Sequence, residues 1–502
     1  MSNFEKYGAL VATGIVGLAI GIDFTVVSTI LPVIQRELSA SMAQLQWLIA
    51  GFSLLFCTCM VAAGKLGDNF GHRKLMYFAA VGFGTASFFA GLSSSPHELI
   101  VWRLVQGLFA AAVFPCSMGI IARCFPPEQQ GRAIGSFTAI VGIGLAVGPV
   151  FGGLITSMLS WRWVFLFNIP TVIVSLICCV LWVKADQEHS RQPIDWAGMF
   201  TLMASLALLI FGITQGPING WTSSLIISTL VLGVVGLALF SMIEKRTSAP
   251  LIPLKLVANS NFLLGLCLNI SAVGFSYIVL FSLSIYLHLI LGMNSSSVGL
   301  IMFPMTALTF VMPYIAGHCL DRYGPKGVSL VIMLCALLAF FIFSQFTTHT
   351  TTTLIIVGSV IFGMAWGLAN GSANPIALSN LPAEQVSVTA GAQMTVLNIF
   401  GILSVSVGGA IINHSMLSQV QQFISQTGTK LSLSEINVLI QKALSGGLVA
   451  TQHHDLAVIL QESFLNGFKS NALFFALLVF VMFLGVIKLL RHKTSKLQEN
   501  SA

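Results

Sequence analysis

Charged side chains are scarce in this chain. Only 8% of its 502 residues are Asp, Glu, Lys or Arg, whereas 56% are hydrophobic and the mean hydropathy is +0.91. A soluble globule of this length cannot cover its surface with so few polar side chains. The composition therefore excludes a soluble protein and predicts an integral membrane protein.

The sequence also lacks the motifs of several functional classes. It has no Walker phosphate-binding loop, no nucleophile–base set and no clustered basic face, which argues against ATP hydrolysis, an enzyme and a nucleic-acid partner. All nine cysteines fall within apolar runs or at their ends, so neither disulfides nor a metal site is expected. No cofactor is expected either.

What the chain does contain is fourteen apolar runs, each long enough to cross about 30 Å of hydrocarbon as a helix. We therefore predict an all-α fold with a six-helix bundle at 1–184, two additional helices at 185–255, and a second six-helix bundle at 256–502. The runs are 8–31, 45–66, 75–93, 98–121, 131–157, 162–183, 196–215, 223–243, 262–291, 297–317, 327–346, 353–373, 390–412 and 471–490.

The basic residues are unevenly shared between the two sides of this topology. If both termini lie on one side, seventeen of the 23 Lys and Arg residues are on that side and five are on the other. The positive-inside rule then places both termini in the cytoplasm. The net charge of +7 is explained by orientation, and a bacterial inner membrane suits the composition.

Asp23 is the only acidic residue far from the ends of a long apolar run. A carboxylate in hydrocarbon costs about 3 kcal/mol on insertion scales, so it normally has a partner or faces water. Arg103, the one basic residue well away from the ends of a run, lies within reach at a helical rise of about 1.5 Å per residue. We predict an Asp23–Arg103 pair that responds to protonation; a permanent structural ion pair is the alternative.

Two loops carry a similar pattern 253 positions apart, GKLGDNFGHRK and GHCLDRYGPK. Parallel repeats place equivalent loops on one side of a membrane, and we interpret the pair as a conformational latch. A plain turn with topogenic charges is the alternative. The equivalent residues are Gly64, Asp68, Gly71 and Arg73 in the first copy and Gly317, Asp321, Gly324 and Lys326 in the second.

The fifth run contains GIGLAVGPVFGG, in which small residues recur at nearly helical spacing. Such a face allows close helix approach, and a proline within it favours a kink. This combination suits a moving interface, although ordinary small-residue packing is the alternative. The residues are Gly144, Gly148, Pro149, Gly152 and Gly153.

Together, these segments match a known family. The loop at 64–74, the WRLVQG run with Arg103 and Gln106, the run at 144–153 and DFTVVSTILP at 23–32 resemble signature motifs of the major facilitator superfamily. With fourteen runs, the chain is similar to the drug/proton antiporter branch. The resemblance implies two six-helix bundles plus two inserted helices. It also implies an alternating-access exporter that uses the proton gradient to clear amphipathic, typically cationic drugs.

The resemblance also implies residue roles: proton coupling for Asp23 and Arg103, a cytoplasmic latch for 64–74, and antiport rather than import for Gly-Pro-x-x-Gly-Gly. The thirteenth run departs from members that carry dicationic drugs, because it contains no acid, and this argues against dication transport. An exporter of one specific metabolite and a non-transporting membrane sensor stay open as alternatives.

Candidate substrate contacts are aromatic, amide or thioether side chains in runs expected to line a central cavity. They are Phe24, Trp47, Gln106, Tyr286, Trp366, Gln393, Met394 and Asn398.

Residues 413–470 are predicted to form a long extracytoplasmic loop. Ser432 and Glu435 would cap an amphipathic helix within it, and a periplasmic adaptor would dock there. His453, His454 and Asp455 lack the spaced additional ligands of a metal site, so no metal is expected.

Overall fold

The computed structural model describes residues 3–183, 194–247, 259–379, 383–426 and 454–499, and all regular elements within these ranges are helical. The elements are α1 (Asn3–Leu38), α2 (Met42–Phe70), α3 (His72–Leu92), α4 (Pro96–Cys124), α5 (Pro127–Met158), α6 (Arg162–Leu166), α7 (Asn168–Trp182), α8 (Trp196–Asn219), α9 (Ser224–Arg246), α10 (Ser260–Asn269), a π-helical segment (Ile270–Gly274), α11 (Phe275–Leu289), α12 (Ser295–Ser344), α13 (Thr352–Leu378), α14 (Ala383–Gln426) and α15 (His454–Glu499).

Fourteen stretches of the described chain are long and apolar enough to span a membrane, which confirms the predicted number. The short α6 joins α7 in the sixth span, and α10, the π-helical segment and α11 form the ninth. The long α12 supplies the tenth and eleventh spans, because its backbone breaks at Gly324.

Polar residues define where several spans begin. Ser41 and Gln44 form a reciprocal capping box at the start of α2, and the Asn294 side chain accepts from the Ser297 amide at the start of α12. These side chains satisfy amide groups that have no partner within the helix. The spans therefore start at polar residues that flank apolar runs.

The internal repeat is visible in the backbone. Gly71, between α2 and α3, has φ 98°, and Gly324, its equivalent within α12, has φ 68°. A side chain is strained at such positive φ values, so glycine is required for the chain to turn back here. The two sequence patterns thus encode the same turn in two places.

The segment predicted as a loop at 413–470 is shorter than expected. α14 continues to Gln426 and α15 begins at His454, so the predicted boundaries are wrong at both ends. The polar residues that ended the apolar runs pair between the two helices: the Ser415 hydroxyl donates to the Ser463 carbonyl at 3.0 Å, and Asn466 donates to Gln419 at 3.1 Å. Paired polar side chains allow a helix to continue beyond its apolar run.

Some predictions for that segment concern residues outside the described ranges, namely the Ser432–Glu435 capping box and His453. The side chains of His454 and Asp455 are likewise not described. Among the side chains that are described, no group of three or more His, Cys, Asp or Glu residues could hold a metal ion.

The inserted pair α8 and α9 packs as a hairpin between the two bundles. α8 contacts α2 of the first bundle and α14 of the second. At one end of the hairpin lie Asp195, which caps α8 by accepting from the Gly198 amide at 2.8 Å, and the buried Glu244. Both carboxylates act electrostatically on Lys65 at the end of α2. The hairpin is therefore linked by charge to the 64–74 loop.

The seam between α5 and α12 is packed at one membrane end and less covered at the other. The seam between α5 and α12 is held by the Ser157–Ser296 hydroxyl pair at 2.6 Å and by the Thr306 hydroxyl, which donates to the Ala146 carbonyl at 2.8 Å. Phe310 still lies near Gly142, but Tyr314, one turn farther on the same face, is 89% exposed. α5 thus leaves α12 uncovered toward the end that carries the 64–74 loop, which we call the parted end.

Candidate functional site: a buried charge network beside a central cavity

Asp23 and Arg103 form a buried ion pair, as predicted from their depths along α1 and α4. Arg103 Nη1 donates to Asp23 Oδ2, and the two residues are only 2% and 1% exposed. Removing one partner of such a pair leaves an uncompensated charge and costs about 3–5 kcal/mol in soluble proteins. The carboxylate therefore depends strongly on its arginine.

The other oxygen of Asp23 is held by two amides. Gln106 on α4 donates to Asp23 Oδ1 at 3.2 Å, and Asn168 at the start of α7 donates to the same oxygen at 3.3 Å. Both amides also donate to the Ser87 hydroxyl on α3, at 2.6 and 3.1 Å respectively. Side chains of α4 and α7 thus hold the carboxylate that α1 carries, and Ser87 of α3 joins the network through the two amides.

Arg103 has partners besides Asp23. Its Nε donates to the Leu48 carbonyl at 3.2 Å, and its Nη1 donates to Gln106 Oε1 at 2.7 Å. The guanidinium carbon lies 4.3 Å from the centre of the Phe52 ring, within the range of a cation–π interaction. These groups would still hold the guanidinium if Asp23 lost its charge.

A small cavity lies between the two bundles beside this network. Phe24 of α1 and Tyr277 of α11 meet across it edge to face, with ring centres 4.9 Å apart. Arg103 lines the cavity, whereas Asp23 lies behind it. The lining residues are Phe24, Val27, Ser28, Ile49, Phe52, Ser53, Arg103, Tyr277 and Leu280.

The remaining predicted substrate contacts are scattered. Asn398 stands behind the cavity wall and accepts from the Tyr277 hydroxyl at 2.5 Å, while Gln106 belongs to the charge network. Tyr286 stacks against Phe468 and donates to the Thr347 carbonyl, so it packs within the second bundle. Outside the cavity lining lie the half-buried Trp47 and Met394 and the buried Trp366 and Gln393.

The glycines of the fifth-run motif point to two neighbours. A Cβ on Gly144, Gly148 or Gly152 would overlap α1, and one on Gly153 would overlap the Ser295 carbonyl at the start of α12. The Pro149 carbonyl in turn occupies the space where Gly299 of α12 would carry a Cβ. α5 thus contacts both the helix that carries Asp23 and the opposite bundle.

The latch residues lie at the parted end. Asp68 lies 3.0 Å from the His72 ring, and Arg73 donates to the Tyr77 hydroxyl at 2.7 Å and to the Val180 carbonyl at 3.4 Å. A Cβ on Gly64 would lie 3.4 Å from Pro115, an ordinary contact. Lys326 of the second copy is exposed, and the Asp321 side chain lies outside the described set.

Sequence reasoning missed Ser87, Asn168, Phe52 and Tyr277. Ser87 and Asn168 are polar residues in otherwise apolar spans, which is a signal, but many spans here carry one. Nothing in the sequence distinguishes Phe52 and Tyr277 from the other aromatic residues. Their roles follow from which face each helix turns toward its neighbours.

Comparison with known proteins identifies the family. The family model described as Major Facilitator Superfamily matches residues 13–405. The chain belongs to this superfamily. Its members are membrane transporters of small molecules rather than enzymes, in agreement with the fourteen spans and the central cavity.

The similar proteins within the superfamily include drug-resistance exporters. The chain is 28% identical over 476 residues to the "Tetracenomycin C resistance and export protein" of Streptomyces glaucescens, covering 92% of this chain and 88% of that protein. It is also 28% identical over 493 residues to the "Multidrug resistance protein Stp" of Mycobacterium tuberculosis strain CDC 1551 / Oshkosh, covering 96% and 91%.

Solved structures of the superfamily share the fold. A bacterial homolog of the human lysosomal transporter Spinster, in its inward-facing and unoccupied conformation, aligns with a TM-score of 0.69 at 16% identity. The alignment covers 98% of this chain and 99% of that one. The likeness confirms the predicted major facilitator architecture.

Proposed function

We propose that this protein is a proton-coupled antiporter that exports drug-like amphipathic molecules across the cytoplasmic membrane by alternating access. Relatives whose names refer to resistance and export support the export of drugs. The observation that carries proton coupling is the Asp23–Arg103 pair, a single carboxylate beside the central cavity. Buried ionisable groups of this kind in membrane spans typically mark proton or substrate pathways.

The network can exchange two states of Asp23. As a carboxylate, Asp23 is neutralised by Arg103 and held by Gln106 and Asn168. As a carboxyl group, it would lose the ion pair, and Arg103 would rely on the Leu48 carbonyl and the Phe52 ring. Because the arginine has partners in both states, protonation need not leave a wholly unpaired charge in the membrane.

The seam between α5 and α12 supports alternating access. It is packed at one membrane end and parted at the other, and α5 also lies against the helix of Asp23. A change at Asp23 can therefore reach the seam through direct packing. With both termini in the cytoplasm, as the basic residues predict, the parted end faces the cytoplasm, where a substrate for export would enter.

We propose two further roles for segments outside the charge network. The latch at 64–74 would control opening at the parted end, since Arg73 there joins α3 to α7 through the Val180 carbonyl. A periplasmic adaptor would dock on the segment 413–470, of which residues 427–453 lie outside the described part of the chain. The expectation of a cationic substrate has less support, because Asp23 is already engaged by three donors.

An efflux assay in a host that lacks its main exporters tests the proposal. Cells expressing wild type are loaded with each of a panel of fluorescent dyes, and efflux is followed with and without a protonophore. Asp23→Asn is expected to abolish the protonophore-sensitive efflux. Glu37→Gln is the matched control, because Glu37 is on the same helix but pairs with Arg162 at the surface. Full protonophore-sensitive efflux by Asp23→Asn would contradict the proton role.

A further inference from the structure

We infer that the central cavity accepts uncharged aromatic molecules in preference to organic cations. This inference rests on the proposed function and names its substrate class. It departs from the cationic substrates that the family resemblance implied. The observation behind it is that Arg103 lines the cavity, whereas Asp23 lies behind it.

Among the described side chains that line the cavity, Arg103 is the only charged one. Asp23 is 1% exposed and does not belong to the lining. A molecule in the cavity therefore meets the cation of the pair before it meets the anion. A cationic ligand would be placed next to a like charge, an arrangement that is strongly unfavourable where water is excluded.

The carboxylate beside the cavity and the aromatic ring next to it are already occupied. An organic cation needs a carboxylate or an aromatic face. Asp23 accepts from Arg103, Gln106 and Asn168, while the guanidinium of Arg103 lies over the Phe52 ring. A cation that used this carboxylate and this ring would have to displace an internal arginine from both.

Neither protonation state of Asp23 makes the site negative. With Asp23 ionised, the pair has no net charge; with Asp23 protonated, Arg103 leaves a net charge of one positive unit beside the cavity. A cation thus gains no net attraction in either state. An anion would favour the protonated state, but it would then bind together with the proton, and antiport requires the two to bind alternately.

An uncharged aromatic molecule avoids these conflicts. The walls offer aromatic surface from Phe24 and Tyr277, aliphatic surface from Val27 and Leu280, and the hydroxyl of Ser53. Pockets of this composition bind through apolar contact, with few polar groups for orientation. The positive charge of Arg103 then disfavours cations and is not needed to bind the ligand.

Two ligands of nearly the same shape test the inference on the purified full-length protein in detergent. Triphenylphosphine oxide is uncharged, and methyltriphenylphosphonium carries one positive charge. Isothermal titration calorimetry at neutral pH is expected to show the oxide binding at least about tenfold more tightly, as juxtaposed like charges predict. Equal or tighter binding of the phosphonium overturns the inference, and so does failure of the oxide to bind.

Two variants assign the preference to Arg103. Arg103→Gln removes the positive charge and leaves the Asp23 carboxylate uncompensated beside the cavity, so phosphonium affinity is expected to rise at least about tenfold. Asp23→Asn combined with Arg103→Gln removes both charges and is expected to show a smaller rise. An unchanged phosphonium affinity in a folded Arg103→Gln protein contradicts the inference. If that variant does not fold, the wild-type ratio decides.

A transport assay distinguishes failure of this inference from failure of the proposed function. Proteoliposomes with an imposed pH gradient show whether transport is proton-driven. Proton-driven transport of the phosphonium at the rate of an uncharged dye would leave antiport standing and overturn the charge preference. Selective binding of the oxide without any proton-driven transport would support the charge preference and contradict antiport.

Discussion

Gly148 of α5 lies against the hydroxyl of Thr25 on α1, with no room for a Cβ on the glycine. The Thr25 hydroxyl donates to the Leu145 carbonyl at 3.0 Å, which ties the two helices together two residues from Asp23. On the next residue of α5, the Pro149 carbonyl packs against Gly299 of the opposite bundle. The glycine motif therefore joins the helix of the buried carboxylate to the seam between the two bundles.

Gly148→Ala is expected to impair both packing and transport. The added methyl group forces α5 away from α1, and overpacking of this kind typically costs about 1–3 kcal/mol. We expect a lower melting temperature in detergent and slower protonophore-sensitive efflux. Gly135→Ala is the control on the same helix, because a Cβ there meets nothing within 4 Å. Equal loss in both variants would mean that the α1 contact is not responsible.

Asn168→Leu is expected to destabilise the charge network. The substitution removes a donor to Asp23 and to Ser87, and leaving buried acceptors short of partners costs about 1–3 kcal/mol. Thermal unfolding in detergent measures the effect. Thr171→Val, one turn along α7, is the control, since its exposed hydroxyl donates only to the Phe167 carbonyl of the preceding turn. A melting temperature for Asn168→Leu equal to that of Thr171→Val would contradict the proposed contribution.

Gly324→Ala and Gly317→Ala separate backbone strain from steric overlap. Neither position has an atom within 4 Å of a Cβ, but only Gly324 has a positive φ, 68°. Alanine at Gly324 is therefore expected to cost about 1–2 kcal/mol, whereas alanine at Gly317 should cost little or nothing. The comparison is made by thermal unfolding and by transport rate. Wild-type behaviour of Gly324→Ala would show that the second latch does not need its turn.

Lys65 should make stability depend on pH. Burial lowers the pKa of Lys65 from its ordinary value of 10.5, and the nearby Asp195 and Glu244 only partly offset this. Between the lowered pKa and 10.5 the unfolded chain holds the proton and the folded protein does not, so this residue's contribution to stability rises with pH. Wild type should therefore gain stability relative to Lys65→Met as pH rises through that window.

The matched control for this measurement is Lys74→Met, at an exposed position of the same loop. The difference in melting temperature between Lys74→Met and wild type should change less with pH than the difference between Lys65→Met and wild type. A Lys65→Met difference that shrinks as pH rises would mean that attraction to the two carboxylates outweighs burial. The attraction of Asp195 and Glu244 to Lys65 would then stabilise the contact between the hairpin α8–α9 and α2 by more than the burial of Lys65 destabilises it.

Several features could be predicted because they depend on local properties of the chain. Hydropathy and helix length determine the number of spans, and the rise per residue places Asp23 and Arg103 at similar depth. A repeat of glycines 253 residues apart indicated two equivalent turns, and Gly71 and Gly324 have positive φ at these turns. The ends of the helices were harder to predict. α14, for example, continues past its apolar run, and α15 supplies polar partners for it there.

By itself, the sequence determined that this is a many-helix membrane protein with one deep carboxylate and one deep arginine. Only the tertiary structure decided that Arg103, and not Asp23, faces the cavity, and that Asn168 and Ser87 complete the network. The physical reason is that a helix has several faces, and the packing of all its neighbours selects the one that points inward. Residues 145 positions apart, such as Asp23 and Asn168, can be joined only by that packing.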